Sequence, residues 1–174
     1  GDRIGVLVAP NFSLSVALAV QLTRILGRFA AMSEARDPYI LEHHHAKKKD
    51  APSGTAKLLA ETMIDACPRK KSWAIAHPES PTISPDVLNV ASIRAGHTYS
   101  SHVIGVDAPG EVLEIVVGGA ATGNGGGFNG GGDGGQGGGT TSTDFGYGGG
   151  GASDIRQGGA TLGDRALVAA GGGG

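Results

Sequence analysis

Glycine is spread so unevenly along this 174-residue chain that its two parts cannot fold in the same way. Residues 1–117 contain 7 glycines, and residues 118–174 contain the other 26 of the 33. Glycine loses more backbone entropy on folding than any other residue, and the second part has few large apolar side chains to offset that loss. Composition therefore predicts an irregular, linker-like or disordered tail after residue 117, with the compact unit in the first part.

The first part has the pattern of a compact α+β unit. Ser13 is a plausible N-cap, and the apolar residues after it recur at helical spacing, which predicts an amphipathic helix to about Ala31. A second helix is expected from about Ser53 to Ala66. The apolar positions of the first helix are Leu14, Leu18, Leu22, Ile25, Leu26 and Phe29, and those of the second are Leu58, Leu59, Met63 and Ile64.

Strands are predicted between and after these helices. Residues 4–9 and 39–41 form short apolar runs, and residues 88–94, 102–106 and 112–117 have the composition of strands. Three prolines place a loop at residues 72–86, and Asp107-Ala108-Pro109-Gly110 is a turn sequence.

Composition excludes several classes of protein. The formal net charge is −2, so no basic excess favours nucleic acid. Cys67 is the only cysteine, which rules out an internal disulfide and fits a reduced, cytoplasmic setting. No apolar run approaches the roughly 18 residues that span a bilayer, so no membrane partner is expected.

Residues 42–55 are the most chemically dense segment, with the sequence Glu-His-His-His-Ala-Lys-Lys-Lys-Asp-Ala-Pro-Ser-Gly-Thr. Ser53, Gly54 and Thr55 lie where the second helix should begin, and the free N–H groups of a helix start bind carboxylate or phosphate. The His and Lys residues precede that start. A histidine can act as a general acid near neutral pH, and a lysine can bind a carboxylate. The segment is therefore equipped to hold a small anion and protonate it.

Simpler interpretations apply to each part of this segment taken singly. Adjacent residues on a strand alternate faces, so three consecutive histidines cannot all reach one ion, and no metal site is expected. A lysine run is usually solvated, and Ser-Gly-Thr before a helix is often only a cap. His97 and His102 are expected to be ordinary turn or strand histidines. Only the ordered combination is specific.

That combination resembles the signature of the 4-hydroxy-tetrahydrodipicolinate reductase (dihydrodipicolinate reductase) family, which serves the diaminopimelate route to lysine. The signature has paired histidines, two spacers, a lysine, one spacer and Asp-Ala-Pro-Ser-Gly-Thr. Aligned on Asp50, the paired histidines are His44 and His45, and the lysine is Lys48. His43, Lys47 and Lys49 fall on variable positions. The likeness extends to Ile93-Arg94-Ala95-Gly96 and His102, and it covers about residues 4–117.

The resemblance implies a fold and a reaction. The fold is a mixed open β-sheet flanked by helices, like the C-terminal domain of these reductases. The reaction passes a hydride from NADH or NADPH to a cyclic unsaturated dicarboxylate, with loss of water. The implied roles are proton donation by His44, assistance by Lys48, and substrate contacts from His45, Ser53, Gly54 and Thr55. The segment resembling the one that closes over the nicotinamide is Ala9, Pro10, Asn11 and Phe12.

The same resemblance implies a division into domains. Residues 1–13 would be the end of a dinucleotide-binding domain and a hinge, residues 14–117 a substrate-binding and tetramerisation domain, and residues 118–174 a tail returning to the first domain. A dinucleotide site requires a Gly-rich turn between a strand and an apolar helix, and residues 1–174 contain no such pattern. The 174 residues alone are thus expected to give no NADH-dependent turnover.

Three interpretations of function remain open from the sequence. The first is a fragment of a lysine-pathway reductase. The second is a noncatalytic dicarboxylate-binding or oligomerisation module. The third is a structural protein with packed polyglycine helices. The irregular spacing of the glycines from 123 to 135 counts against it, because such helices need a regular glycine repeat.

Overall fold

The computed structural model describes residues 13–77, 79, 82–98, 100–119, 121, 123–135, 146–159 and 161–169. The described elements form one mixed sheet with two helices packed on one of its faces. The helices are α1 (Leu14–Ala31) and α2 (Gly54–Ala66), and a 3-10 turn covers Leu162–Asp164. The strands are β1 (Asp37–His44), β2 (Ser72–Ala74), β3 (Val87–Arg94), β4 (Ser101–Ala108), β5 (Glu111–Val117), β6 (Ser153–Gln157) and β7 (Arg165–Ala169).

The sheet has the order β2-β3-β1-β4-β5-β6-β7 in the described residues. Strand β3 lies between β1 and β2 and runs parallel to both, because α2 carries the chain back across one face of the sheet. On the other side of β1, the neighbouring strands are all antiparallel: β1 pairs with β4, β4 with β5, β5 with β6, and β6 with β7. The expected α+β class with a mixed open sheet is confirmed.

The main core lies between the helices and one face of the sheet. Ile40 of β1 and Ile104 of β4 meet Leu59 and Met63 of α2 there, all almost completely buried. Gly27 of α1 lies so close to α2 that a Cβ at this position would lie 2.7 Å from the Cβ of Ala66. The two helices therefore cross in close contact.

The predicted apolar face of α1 is partly wrong. Leu26 is buried, but Leu14, Leu18 and Ile25 are exposed. The buried positions also include small and polar residues, namely Val16, Ala19, Thr23, Gly27 and Ala30. Because close packing against α2 selects small side chains, the largest apolar residues do not mark the face that contacts the core.

Helix α1 also corrects the expectation about apolar runs. It is the one helix in the described part of the chain that is long and apolar enough to cross a membrane, with a mean hydropathy of 1.3 over 18 residues. A core helix of a soluble protein meets the same criterion, and α1 packs against α2 and the sheet. Its length and composition are therefore weak evidence for a membrane span.

The glycine-rich tail is more regular than its composition predicts. Strands β6 and β7 extend the sheet, and β2 lies within the segment expected to be a loop. A buried network on β6 supports the tail: Asp154 accepts hydrogen bonds from Arg156 (2.9 Å) and Asn129 (2.9 Å), and it also pairs with Arg165. Ile155 of β6 packs against the main core, but the charged pairing around Asp154 leaves no apolar pattern that sequence composition could detect.

The segment between β5 and β6 packs backbone against backbone. The amide of Gly127 donates to the carbonyl oxygen of Gly149 (2.8 Å), and that of Gly151 donates to Gly119 (2.9 Å). A Cβ on Gly127 would lie 2.1 Å from the carbonyl oxygen of Gly119. Glycine is therefore required at this close approach, which a side chain would prevent.

Candidate functional site

The three consecutive histidines are separated by the geometry of β1. His44 is the last residue of the strand and is buried on the face that carries the helices, two residues after Glu42. His43 points to the other face, and its Nε2 lies 3.0 Å from the carbonyl oxygen of Ala95. His45 follows the strand and is half-buried. The alternation of side chains thus leaves a single imidazole of the three on the helix side.

A row of polar side chains crosses three strands beside His44. Glu42 of β1 pairs with Ser92 of β3 on one side and with His102 of β4 on the other. Paired residues project to the same face, so the three side chains lie next to one another under the start of α2. His102 is buried, and its ring centroid lies 5.3 Å from that of His44.

The two oxygens of the Glu42 carboxylate have different partners. Oε1 accepts three hydrogen bonds, from the Ser53 amide (3.0 Å), the Ser92 hydroxyl (2.8 Å) and the Arg94 guanidinium (2.7 Å). Oε2 lies 3.1 Å from Nδ1 of His44 and 3.8 Å from Nε2 of His102. Neither Oε2 nor His44 Nδ1 has a well-aligned hydrogen bond to another described group.

This environment sets the charges of the cluster. Burial alone would raise the pKa of Glu42, but the hydrogen bonds from Ser53, Arg94 and Ser92 outweigh it and lower that pKa to about 2. Burial lowers the pKa of His44, and the charges of Arg94 and Lys48 add to the effect against the opposing charge of Glu42. Burial and the neighbouring His44 lower the pKa of His102 to about 4. At neutral pH the site therefore contains one carboxylate and two neutral imidazoles.

Glu42, His44 and His102 also have the spacing of a metal site, since their ligand atoms lie within 4.8 Å of one another. The positive charge next to the carboxylate is already supplied by Arg94, whose guanidinium bonds directly to it. A buried carboxylate paired with arginine gains less from a dication than a free one would. The cluster is better suited to holding and moving a proton.

The start of α2 lies over this row. Ser53 is the N-cap residue, and its Oγ accepts a hydrogen bond from the Ala56 amide (3.1 Å) and lies 3.2 Å from Nε2 of His102. Gly54 and Thr55 provide the first two amides of the helix, which have no acceptor within it. Gly54 is exposed. This helix start therefore presents free N–H groups and the positive end of the helix dipole.

The loop between β1 and α2 is fixed by charged contacts. Nζ of Lys48 lies 2.8 Å from Oδ1 of Asp50. The Arg94 guanidinium donates to the backbone oxygen of Asp50 (2.5 Å) as well as to Glu42. Arg94 thus ties the loop that carries Lys48 to the strand that carries His44.

Comparison with known proteins identifies the family of this arrangement. The family profile of the dihydrodipicolinate reductase C-terminus matches residues 15–119, which is more than half of the chain and includes β1, the loop and α2. The chain belongs to this family.

Individual relatives of the dihydrodipicolinate reductase C-terminal family agree. A 4-hydroxy-tetrahydrodipicolinate reductase from Laribacter hongkongensis is 38% identical over 118 residues, which cover 66% of this chain and 43% of the relative. One from Methanothermobacter thermautotrophicus is 35% identical over 120 residues, with 66% and 43% covered. The solved structure of a dipicolinate-bound dihydrodipicolinate reductase from Paenisporosarcina sp. TG-14 has a TM-score of 0.48 at 24% identity, covering 63% of this chain and 41% of that one. The chain thus spans less than half the length of these relatives.

The structure brings most of the expected site residues of this family domain to one end of the sheet. His44 and His45 end β1 or follow it, Lys48 lies on the next loop, and Ser53, Gly54 and Thr55 begin α2. The expected cofactor contacts Ala9, Pro10, Asn11 and Phe12 lie outside the described residues. The roles of all these residues stay predictions.

Sequence reasoning missed Glu42, Ser92 and Arg94, and it gave no role to His102. One signal was available, because Glu42 and His44 are two residues apart on a predicted strand and must share a face. The contributions of Ser92 and His102 depend on strand pairing, which the sequence pattern does not specify.

Proposed function

We propose that this chain is the substrate-binding and proton-donating part of a 4-hydroxy-tetrahydrodipicolinate reductase. Such an enzyme reduces 4-hydroxy-tetrahydrodipicolinate to tetrahydrodipicolinate with NADH or NADPH, in lysine and diaminopimelate biosynthesis. The proposal is carried by one observation: the buried His44 lies beside a helix start with free N–H groups and a lysine-rich loop. It is supported by the family and by the names of the relatives.

The residues of the site would share the work of binding and protonation. The amides of Gly54 and Thr55, with the Ser53 and Thr55 hydroxyls, would hold one carboxylate of the substrate, because a helix start favours an anion. Lys48 and His45 would contact the ring and its second carboxylate. The bound nicotinamide supplies a hydride, and His44 would supply the proton. The balance is substrate, NAD(P)H and one proton giving product, NAD(P)⁺ and water.

The low pKa of His44 is compatible with proton donation. In the ligand-free protein, burial together with Arg94 and Lys48 keeps this imidazole neutral. A bound dicarboxylate brings negative charge to the site, which favours the imidazolium form. We therefore expect the site to take up a proton when the substrate binds, so that the acid forms where and when it is used.

The cofactor would be held mainly by residues beyond the described part of the chain. Residues 1–13 would complete a dinucleotide-binding domain and hinge, with Ala9, Pro10, Asn11 and Phe12 next to the nicotinamide. Residues 14–117 would form most of the substrate-binding and tetramerisation domain, whose sheet β6 and β7 extend, and the rest of residues 118–174 would return to the first domain. A cytoplasmic homotetramer would follow from this assignment.

A noncatalytic binding or oligomerisation module is the second candidate. It is favoured by the second face of the sheet, which α1 and α2 leave uncovered. On β3, Asn89, Ala91 and Ile93 of that face are exposed. Light scattering on the purified chain would measure its oligomeric state, and oligomers of a chain that binds no dicarboxylate would favour the oligomerisation module over the reductase.

Calorimetric titration with pyridine-2,6-dicarboxylate, a planar cyclic dicarboxylate, tests the binding function. Titrations near pH 7 in two buffers of different ionisation enthalpy give the number of protons taken up. Wild-type protein is expected to bind and take up a proton, His44→Gln to lose the uptake, and His43→Gln to keep it, because His43 lies on the other face. Absence of binding by the folded wild-type chain would overturn the proposal.

A further inference from the structure

The two oxygens of the Glu42 carboxylate contact different groups. All three donors, the Ser53 amide, the Ser92 hydroxyl and the Arg94 guanidinium, bind Oε1. Oε2 faces the imidazole of His44 with no donor aligned to it. One oxygen is therefore fixed by the framework, and the other is left for the imidazole.

We propose that Glu42 is a positioning residue that sets the tautomer and ring orientation of His44 and holds the start of α2 against it. This role rests on the proposed function, in which His44 is the proton donor. Glu42 does not touch the substrate in this arrangement. It acts through His44 on one side and through the Ser53 amide on the other.

The tautomer follows from the 3.1 Å approach of Nδ1 to Oε2. A carboxylate only accepts hydrogen bonds, so it favours the neutral imidazole with its hydrogen on Nδ1. Nε2 is then the atom that gains and releases the proton, on the side of the ring away from Glu42. Ligand-free active sites often have poorly aligned pairs that tighten when the substrate binds, which fits the misaligned contact.

The same carboxylate also positions the start of α2. Oε1 accepts a hydrogen bond from the Ser53 amide (3.0 Å). Ser53 immediately precedes the residues whose amides would bind the substrate carboxylate. Glu42 therefore links the proton donor and the anion-binding turn through a single buried group. His102 adds a second link, since it lies next to Ser53 Oγ at 3.2 Å and packs against His44.

Nitrogen NMR of the imidazoles tests the proposal in the ligand-free chain. In the wild type, neutral His44 is expected to carry its hydrogen on Nδ1. In Glu42→Gln, the amide oxygen must occupy the Oε1 site, because the Ser53 amide and Arg94 can only donate. The NH₂ group then faces His44, so the hydrogen should move to Nε2 and the titration midpoint of His44 should fall.

Ser92→Ala is the matched control. It removes one hydrogen bond to the same carboxylate without changing its charge or its approach to His44, so it should leave the His44 tautomer unchanged. A conservative Glu42→Asp variant keeps a carboxylate acceptor and is expected to keep the hydrogen on Nδ1. Dicarboxylate affinity is expected to fall about tenfold in Glu42→Gln and less than about threefold in Ser92→Ala.

The outcomes separate this proposal from the proposed function. Hydrogen on Nε2 in the wild type would overturn the positioning role without any variant, even if Glu42→Gln does not fold. An unchanged tautomer in folded Glu42→Gln would also overturn it. The expected tautomers without dicarboxylate binding by the wild type would support the positioning of His44 and count against the reductase assignment alone.

Discussion

Lys47 and Lys48 are adjacent residues of the same type with different surroundings. Lys48 is half-buried and pairs with Asp50, whose backbone oxygen is held by Arg94. Lys47 is exposed, and no contact of its side chain is seen among the described residues. Only Lys48 is therefore held in a fixed position near the start of α2.

This difference predicts unequal effects of removing each lysine. Lys48→Ala should weaken pyridine-2,6-dicarboxylate binding roughly 5- to 30-fold, the loss of about 1–2 kcal/mol for a charge-assisted hydrogen bond. Lys47→Ala should change affinity less than about twofold, because an exposed charge is screened. Calorimetric titration at constant ionic strength measures both. Equal losses would mean that the loop acts only through its net charge.

The same pair shows how far the sequence predicts individual residues. The signature selected Lys48 over Lys47 by its spacing from Asp50, and the structure provides the fixed contact. It did not select Glu42, because a glutamate on a strand is usually exposed. Burial of this carboxylate depends on donors from β3 and α2, which are distant in sequence from β1.

At the scale of elements, the bounds of α1, α2, β3, β4 and β5 were predicted to within about two residues, but β1 runs from Asp37 to His44 and not only over residues 39–41. Capping residues and turn chemistry are local signals, and Ser13 and Ser53 occupy the N-cap positions of α1 and α2 as expected. The face of α1 was predicted less well, because Leu14, Leu18 and Ile25 are exposed. The tail strands β6 and β7 were missed, since charged pairing with Asp154 does not register in a glycine-rich composition.

Because α1 and α2 are in close contact, we expect a glycine-to-alanine substitution at their crossing to destabilise the protein, the opposite of what helix propensity predicts. Alanine is favoured over glycine inside a helix by about 1 kcal/mol. At Gly27, however, the new Cβ would lie 2.7 Å from Ala66 Cβ and 3.2 Å from Met63 Sδ. Overpacking of this kind costs about 1–3 kcal/mol, so Gly27→Ala should lower the free energy of unfolding in urea denaturation.

A compensating variant checks the cause. Adding Ala66→Gly to Gly27→Ala removes the closest atom and should recover part of the loss. Ala17→Gly, at an exposed position of α1, measures the propensity term alone. A Gly27→Ala protein more stable than the wild type would show that the helices can separate without cost.

For the whole molecule, the buried cluster makes folding stability depend on pH. The pKa of His102 is lowered from 6.5 to about 4 in the folded chain, and that of His44 is also lowered. Between pH 6.5 and 4 the unfolded chain therefore binds more protons, and stability falls as pH falls. Each such proton contributes about 1.4 kcal/mol per pH unit. Below pH 4.5 the depressed pKa of Glu42 adds a further loss as the pH approaches 2.

Urea denaturation at several pH values between 7 and 4 measures this slope. His102→Gln should flatten it by up to one proton. His97→Gln should leave it unchanged, because His97 is exposed. A wild-type stability that does not vary over this range would mean that the two buried imidazoles titrate as they do in the unfolded chain.

The row formed by Ser92, Glu42 and His102 also bears on how the sheet assembles. These residues face one another only when β1, β3 and β4 pair in the observed register. A slip of one residue would turn Glu42 to the opposite face, away from its three donors. The donors left on the helix side, among them the Arg94 guanidinium, would then lack their buried acceptor. An unpaired buried donor costs about 1–3 kcal/mol, so mispaired sheets are penalised at this point. The polar residues of the site thereby also select the correct strand register during folding.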